Sequence, residues 1–380
     1  MKIVYSVDAK LGGSGIGLTG YNAAVGIYRA GLLARLFISS NAQTTISGSF
    51  IRQWGIAGRG SKYLAAKDPT GLLAYLDNTL FDYWVAPQLP VAQVFHGWNN
   101  SSLQSLRRAK AQGMTTVVER ASAHPATHMQ LLREEYARWN VPLKLPMWNY
   151  ARALREFAEA DYITVPSSFA RQSMIAEGIP AGKLIEIPFG VDRQRFSPAD
   201  HSAPHPFRAI FAGLVSINKG VPDLLGAWRR LAWRDAELWL VGAIAPDFAA
   251  IRTRWSDLSG VRFIPHSKEL ARLFQQCDVF VFPSIQEGSA LVTYEAMATG
   301  LPVITTLNAG SVVRDGEDGF IVPIRDQDAL CARLEELRCD DAERMRMGRS
   351  ARARIENFGW QTYRARLVEA YQCITRKTNQ

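Results

Sequence analysis

The sequence predicts an α/β protein of two Rossmann-like, doubly wound parallel-sheet domains with a cleft between them. Three observations predict it. Short β-branched and aromatic runs alternate with longer helical patterns along the whole chain, as βαβ units require. Several runs are nearly continuous in apolar residues, the mark of strands buried on both faces. A proline-rich stretch without periodicity, SPADHSAPHP at 197–206, divides the series into two.

In the first half, strands are expected at 2–8, 93–98, 115–120, 162–167 and 184–189, with amphipathic stretches at 103–112 and 148–159 between them. In the second half they are expected at 209–213, 237–242, 261–265, 279–283, 302–305 and 320–323. The tail over 342–371 is helical in pattern, with arginine-rich polar positions and apolar Met345, Ile355, Phe358, Trp360 and Leu367. Its end, about 360–380, is expected to pack back on the first domain. The expected domains are 1–196 and 207–359, with 197–206 as a linker whose His201 and His205 should face solvent. Ligands in open α/β sheets bind at the carboxyl ends of the strands, so the cleft is the default site.

Composition narrows the class. Of 380 residues, 47% are hydrophobic and 21% charged, which excludes a disordered or collagen-like chain. No run reaches the ~18 apolar residues of a membrane span; the longest candidate, 23–38, is broken by Arg29 and Arg35. The apolar run after Lys2 stops at Asp8, so no signal peptide is expected. Cys277, Cys331, Cys339 and Cys373 show no CxxC spacing, which points to a reducing, cytoplasmic setting. The net charge of +9 is uneven: residues 1–195 hold 21 Lys and Arg against 13 Asp and Glu, residues 196–380 hold 23 against 22. The excess reads either as a solvated basic surface or as a face for an anionic partner, such as a phosphorylated substrate or acidic lipid headgroups. No basic tract, zinc-finger spacing or RNP-type motif supports nucleic acid.

The first strand runs into Gly12-Gly13-Ser14-Gly15-Ile16-Gly17-Leu18-Thr19-Gly20. Gly15, Gly17 and Gly20 match the dinucleotide fingerprint, but that fingerprint needs an acidic residue about 20 positions on to hold the ribose. None occurs between Asp8 and Asp68, which excludes NAD. The loop, Gly13 included, keeps amides that can approach a phosphate or sugar at a helix start. In the second half, Asn218-Lys219-Gly220 places Lys219 just ahead of a helix N-terminus, where both can face an anion. The strand at 279–283 then delivers Glu287 into a loop at its carboxyl end. Gly288, Ser289, Ala290 and Leu291 begin a helix with free amides, and Glu295 lies inside it before the Gly300-Leu301-Pro302 stop. Two carboxylates beside an amide nest suit a ligand with hydroxyls and a diphosphate, hence a nucleotide sugar.

The run 286–302 resembles the EX7E signature of retaining GT-B glycosyltransferases of family 4, the glycosyl transferases of group 1. Lys219-Gly220, the run Gly316-Glu317-Asp318-Gly319-Phe320-Ile321-Val322-Pro323, and Ile187-Pro188-Phe189-Gly190-Val191-Asp192 with Phe196 and Pro198 fit the same family. The resemblance is dense from about 161 to 358 and looser before that. It implies a GT-B fold, with acceptor bound by the first domain and donor by the second. By position it implies that Glu287 contacts the donor sugar near its reacting carbon and Glu295 the ribose. Lys219 and the Gly288–Leu291 amides would hold the diphosphate. The family's arginine near this lysine is absent, its positions being Leu214 and Asn218, so part of the phosphate charge lacks an obvious partner. The base is expected to be read near 264–266, His266 included.

The family's active-site histidine follows a central strand, and Ala121-Ser122-Ala123-His124 after the strand at 115–120 assigns it to His124. His128, four residues on, suggests a metal pair. Pro125 intervenes and no third ligand is evident, so no metal is expected. His96, Trp98 and Arg120 are acceptor-side candidates; the aromatics of 95–99 and 133–148 could line a glycan site or be core. Asp326-Gln327-Asp328 formally matches a metal-binding DxD element, but its place before a helix reads as N-capping. No G-x-S-x-G elbow supports a serine hydrolase.

The resemblance thus implies a metal-independent, cofactor-free retaining transferase. It would move a sugar from a UDP- or GDP-type nucleotide sugar to a hydroxyl of a glycan or lipid-linked acceptor, in bacterial surface-polysaccharide assembly. The departing phosphate oxygen would assist proton removal, so no separate protein base is needed. Two alternatives stand beside it: a GT-B-fold UDP-sugar 2-epimerase, which needs further acid/base residues, and a catalytically silent sugar-nucleotide-binding protein. The charge excess then falls on the acceptor half. It points to an anionic acceptor or to peripheral contact with the acidic inner face of a membrane.

Overall fold

The computed structural model describes residues 1–55, 68, 71–143, 147–199 and 205–378. The first sheet is built from β1 (Ile3–Leu11), β2 (Leu33–Asn41), β3 (Ile51–Gln53), β4 (Val94–Trp98), β5 (Thr115–Glu119), β6 (Tyr162–Val165) and β7 (Leu184–Glu186). Its spatial order is β3-β2-β1-β4-β5-β6-β7, with every pairing parallel. The second sheet holds β8 (Phe207–Ala212), β9 (Ala236–Val241), β10 (Val261–Ile264), β11 (Val279–Phe282), β12 (Val303–Thr305) and β13 (Gly319–Ile321) in the order β10-β9-β8-β11-β12-β13, again all parallel. In each sheet the strand order reverses beside the first strand, at β1/β4 and at β8/β11. Ligands of doubly wound sheets bind at that reversal, at the carboxyl ends. The glycine-rich loop follows β1, and the Lys219 and Glu287 loops follow β8 and β11.

Every expected strand is present. β2 and β3 were not legible, because the apolar run at 23–38 is cut by Gly31 into the end of α1 (Ile16–Arg29) and the start of β2. The next helices are α2 (Leu72–Val85), α3 (Leu103–Ala111), α4 (Pro125–Trp139), α5 (Met147–Glu159) and α6 (Ser168–Ala176). Those of the second half are α7 (Val221–Leu231), α8 (Pro246–Ala249), α9 (Leu270–Phe274), α10 (Leu291–Ala298), α11 (Gln327–Cys339), α12 (Asp341–Ile355) and α13 (Trp360–Thr378). His201, with 200–204 of the linker, lies outside the described residues, as do 144–146. His205 is half-buried rather than solvent-facing, its Nδ1 3.7 Å from Asp278.

The helical tail breaks at 356–359 into α12 and α13. Met345 on α12 is exposed, whereas Tyr363, Leu367, Tyr371 and Ile374 of α13 join the core of the first sheet. Burying each of these apolar bodies contributes on the order of 2 kcal/mol. Beneath α13 lies a closed polar network. Tyr371 hydroxyl meets His96 Nδ1 at 2.5 Å, Trp98 Nε1 donates to Tyr5 hydroxyl (2.7 Å), and Tyr5 donates to Glu119 (3.1 Å). Burial pushes Glu119 up to about 8 and His96 down to about 3, so both are neutral near pH 7. His96 and Trp98 are 0% and 4% exposed, which removes both as acceptor contacts. His96 ties the tail to β4 through Tyr371.

Candidate active site at the interdomain cleft

On the second domain, the loop after β8 carries Asn218, Lys219 and Gly220. Gly220 has φ +68°, and a Cβ there would collide with the Pro283 carbonyl oxygen, so only glycine lets this loop lie on the end of β11. Ile285 N–H donates to Asn218 O (2.9 Å), a second tie between the two loops. Together they bring Lys219 Nζ into direct contact with the Glu287 carboxylate. Burial pushes the Lys219 ammonium down to about 8. Asn218 Oδ1 is buried with no hydrogen-bond partner among the described residues.

The loop after β11 is pressed against the loop after β5. A Cβ on Gly288 would collide with Ala121 O, Ser167 Oγ donates to Gly288 O (2.5 Å), and Gln286 Nε2 donates to Ser122 Oγ (2.7 Å). The cleft is closed at this point. Of the four amides expected to form a nest, that of Ala290 is spent on Ala309 O (2.9 Å). Those of Gly288, Ser289 and Leu291 have no backbone acceptor among the described residues, and Ser289 Oγ pairs with Tyr294 hydroxyl (3.1 Å). Glu295 and Leu291 share one face of α10 and line a cavity of about 250 Å³, walled also by Leu18, Tyr21, Arg195 and Trp360. Burial pushes Glu295 up to about 7, against the pull of Arg195. Glu287 does not line this cavity, so the two glutamates stand at separate stations.

Two expected donor contacts are differently employed. Gly13 N–H donates to Lys10 O (3.0 Å) as the glycine-rich loop folds back on β1, so its amide is spent. His266 is exposed beyond β10, and the Ile264 carbonyl before it accepts from Gly242 N–H (2.9 Å).

On the first domain, His124 is the N-cap of α4. Its Nδ1 accepts from Ala126 N–H (3.2 Å), its own N–H donates to Ser173 Oγ (2.9 Å), and its ring packs 6.1 Å from Phe157. Burial lowers its pKa. The ring that meets the donor-side residues is His128, one turn on. Its neighbours are Gln286, Arg120 and Lys219, and it is held neutral, down to about 4, by burial first and Arg120 second. Pro125 at the first helical position sets the phase of α4 and turns residue 128, not 124, toward the cleft. Gln286 and Ser122 were likewise missed in the sequence; the EX7E run contained Gln286 but nothing marked its cross-domain partner.

α4 starts in the first domain and ends on the second. Tyr136 hydroxyl donates to Asp247 (2.7 Å), Arg138 pairs with Asp223 (2.7 Å), and Trp139 packs 5.6 Å from Trp255. Fully buried Glu135 accepts from Arg325 Nε (2.6 Å) and Trp139 Nε1 (2.6 Å). Asp326 caps α11 by accepting from Ala329 N–H (2.8 Å), which explains the DxD look-alike. Among the described residues no group of three or more His, Cys, Asp and Glu side chains is placed to hold a metal ion.

Residues 206–340 match the family model described as Glycosyl transferases group 1. The whole chain superposes on HepE of Anabaena, solved with UDP, with TM-score 0.70 and 15% identity, covering 98% of this chain and 100% of that one. It also superposes on WaaG, a glycosyltransferase involved in lipopolysaccharide biosynthesis (TM-score 0.66, 18% identity, 98% and 99% covered). The fold is GT-B. Within it, 264 residues are 31% identical to an MMP alpha-(1->4)-mannosyltransferase of Mycolicibacterium hassiacum, 66% of this chain and 63% of that one. The GT-B chain spans from about half to under two thirds of the length of the curated relatives it matches.

Proposed function

We propose that this protein is a retaining, metal-independent glycosyltransferase of family 4 that uses a nucleoside-diphosphate sugar of UDP or GDP type. The observation that carries the reading is the contact of Lys219 with Glu287 at the strand ends of the second sheet, directly opposite Ser122 and His128. The match to group 1 glycosyl transferases over this domain and the likeness to a UDP-bound structure support it. A donor diphosphate takes over Lys219 and the free amides of Gly288, Ser289 and Leu291, and releases Glu287 to accept from the sugar hydroxyls. Glu295 accepts from the ribose. Lys219 and the amides then stabilise the charge that builds on the leaving phosphate, and the closed loops keep water from the donor.

Lys219→Met tests the donor side. Wild type is expected to gain thermal stability with UDP or GDP, as any ligand of the folded state confers. The variant is expected to lose most of that shift; an equal shift in both places the nucleotide elsewhere.

The acceptor is proposed to be a glycan or lipid-linked hydroxyl compound met at an acidic membrane face. No described helix is long and apolar enough to cross a membrane. Instead α2 turns one apolar stripe outward: Leu73, Leu76, Leu80 and Tyr83 are 42–58% exposed at helical spacing. Met147, Trp148 and Leu154 of neighbouring α5 extend it, with Tyr75 and Trp148 rings 6.1 Å apart. The same half of the chain holds most of the net positive charge.

A further inference from the structure

We infer that Arg120, with His128 and Tyr150, forms a site on the first domain for an anionic group, a phosphate or a carboxylate, carried by the acceptor. This rests on the transferase reading and names the acceptor's chemistry.

Arg120 is the first residue after β5, where the carboxyl ends of the central strands meet the cleft. Its Nε and Nη2 both donate to Ala123 O (3.1 and 2.8 Å) and its Nη1 to Asn99 Oδ1 (2.9 Å). All of these partners are neutral. A guanidinium has five N–H donors, so two remain, and Arg120 makes no ion pair among the described residues. The carboxylate that faces it, Glu156, is already spent on Asn99 Nδ2 (2.7 Å), the Ser102 N–H (2.8 Å) and Arg152 (3.3 Å). Asn99 therefore fixes the guanidinium and holds it off Glu156.

The unspent donors lie near one other unspent polar atom. His128 Nδ1 is buried without a hydrogen-bond partner, and its ring lies 6.0 Å from the ring of Tyr150. Charges in folded interiors are paired, and the flat fork of arginine fits two oxygens of one phosphate or carboxylate. The donor diphosphate is not the anion that completes it. That group is served by Lys219 and the α10 amides across the cleft, whereas the uncompensated charge of the chain lies in the first half.

Calorimetric titration of inorganic phosphate, and separately of acetate, into wild type, Arg120→Gln and His128→Ala tests the site. Wild type is expected to bind one of the two more tightly, which names phosphate or carboxylate as the group. Arg120→Gln is expected to weaken that binding by roughly ten-fold or more, the worth of a charge-assisted hydrogen bond. His128→Ala should weaken it in the same direction if Arg120→Gln proves unstable. Absence of binding in wild type, or binding undiminished in both Arg120→Gln and His128→Ala, overturns the proposal. Binding that depends on Arg120 in a protein that turns over no nucleotide sugar keeps the anion site and sinks the transferase reading instead.

Discussion

Gly288 brings the two domains into backbone contact because it lacks a side chain. Gly288→Ala drives a methyl group into the Ala121 carbonyl, and the loops after β5 and β11 must part. A displacement of about 1 Å between reacting groups costs on the order of 100-fold in rate. Transfer should fall by about that factor with the melting temperature little changed; unaltered kinetics would show that this contact is not part of the working geometry. Lys219 and Glu287 were legible in the sequence because each follows a buried apolar strand and precedes glycine, which fixes both at strand ends. His128 was not, since its direction depends on where α4 begins. Asn218 sits beside Lys219 with its Oδ1 buried and without a hydrogen-bond partner among the described residues.

At the scale of elements, the return of the tail to the first domain was legible, but the side chains it meets there were not. The sequence marked β4 and its aromatics, yet His96 meets Tyr371 across 275 residues, and no local pattern reports such a partner. The network under α13 has a pH signature. Glu119 binds its proton up to about pH 8 when folded, against 4.5 normally, so its contribution is full below 4.5 and is lost as pH rises toward 8. His96, lowered to about 3, works in the opposite sense and costs stability as pH falls below 6.5. Glu119→Gln keeps a neutral side chain at this place and removes the alkaline limb. Its melting temperature should hold between pH 6.5 and 8, where that of wild type declines by a few degrees. Parallel declines in both proteins would mean that Glu119 is ionised in the fold.

For the molecule as a whole, the plan of two parallel-sheet domains was readable because strands buried on both faces alternate with helical patterns on either side of a proline-rich linker; GT-B followed only from the motif resemblance. The closed arrangement was not readable, since the ion pairs that hold it, Arg325 with Glu135 and Arg138 with Asp223, join residues from opposite domains. The proposed docking on a membrane surface rests on charge and on the apolar stripe of α2. Leu76→Asp combined with Leu80→Asp should abolish co-sedimentation with phosphatidylglycerol vesicles, and salt should weaken it in wild type; vesicle binding that survives both would refute docking through this stripe. The central claim is that Glu287, beside Lys219, serves the donor sugar. Its most direct test is release of nucleoside diphosphate from UDP- and GDP-sugars by wild type and Glu287→Gln of equal circular dichroism. Loss of at least roughly 100-fold in the variant is the predicted result, and equal release by both proteins would contradict it.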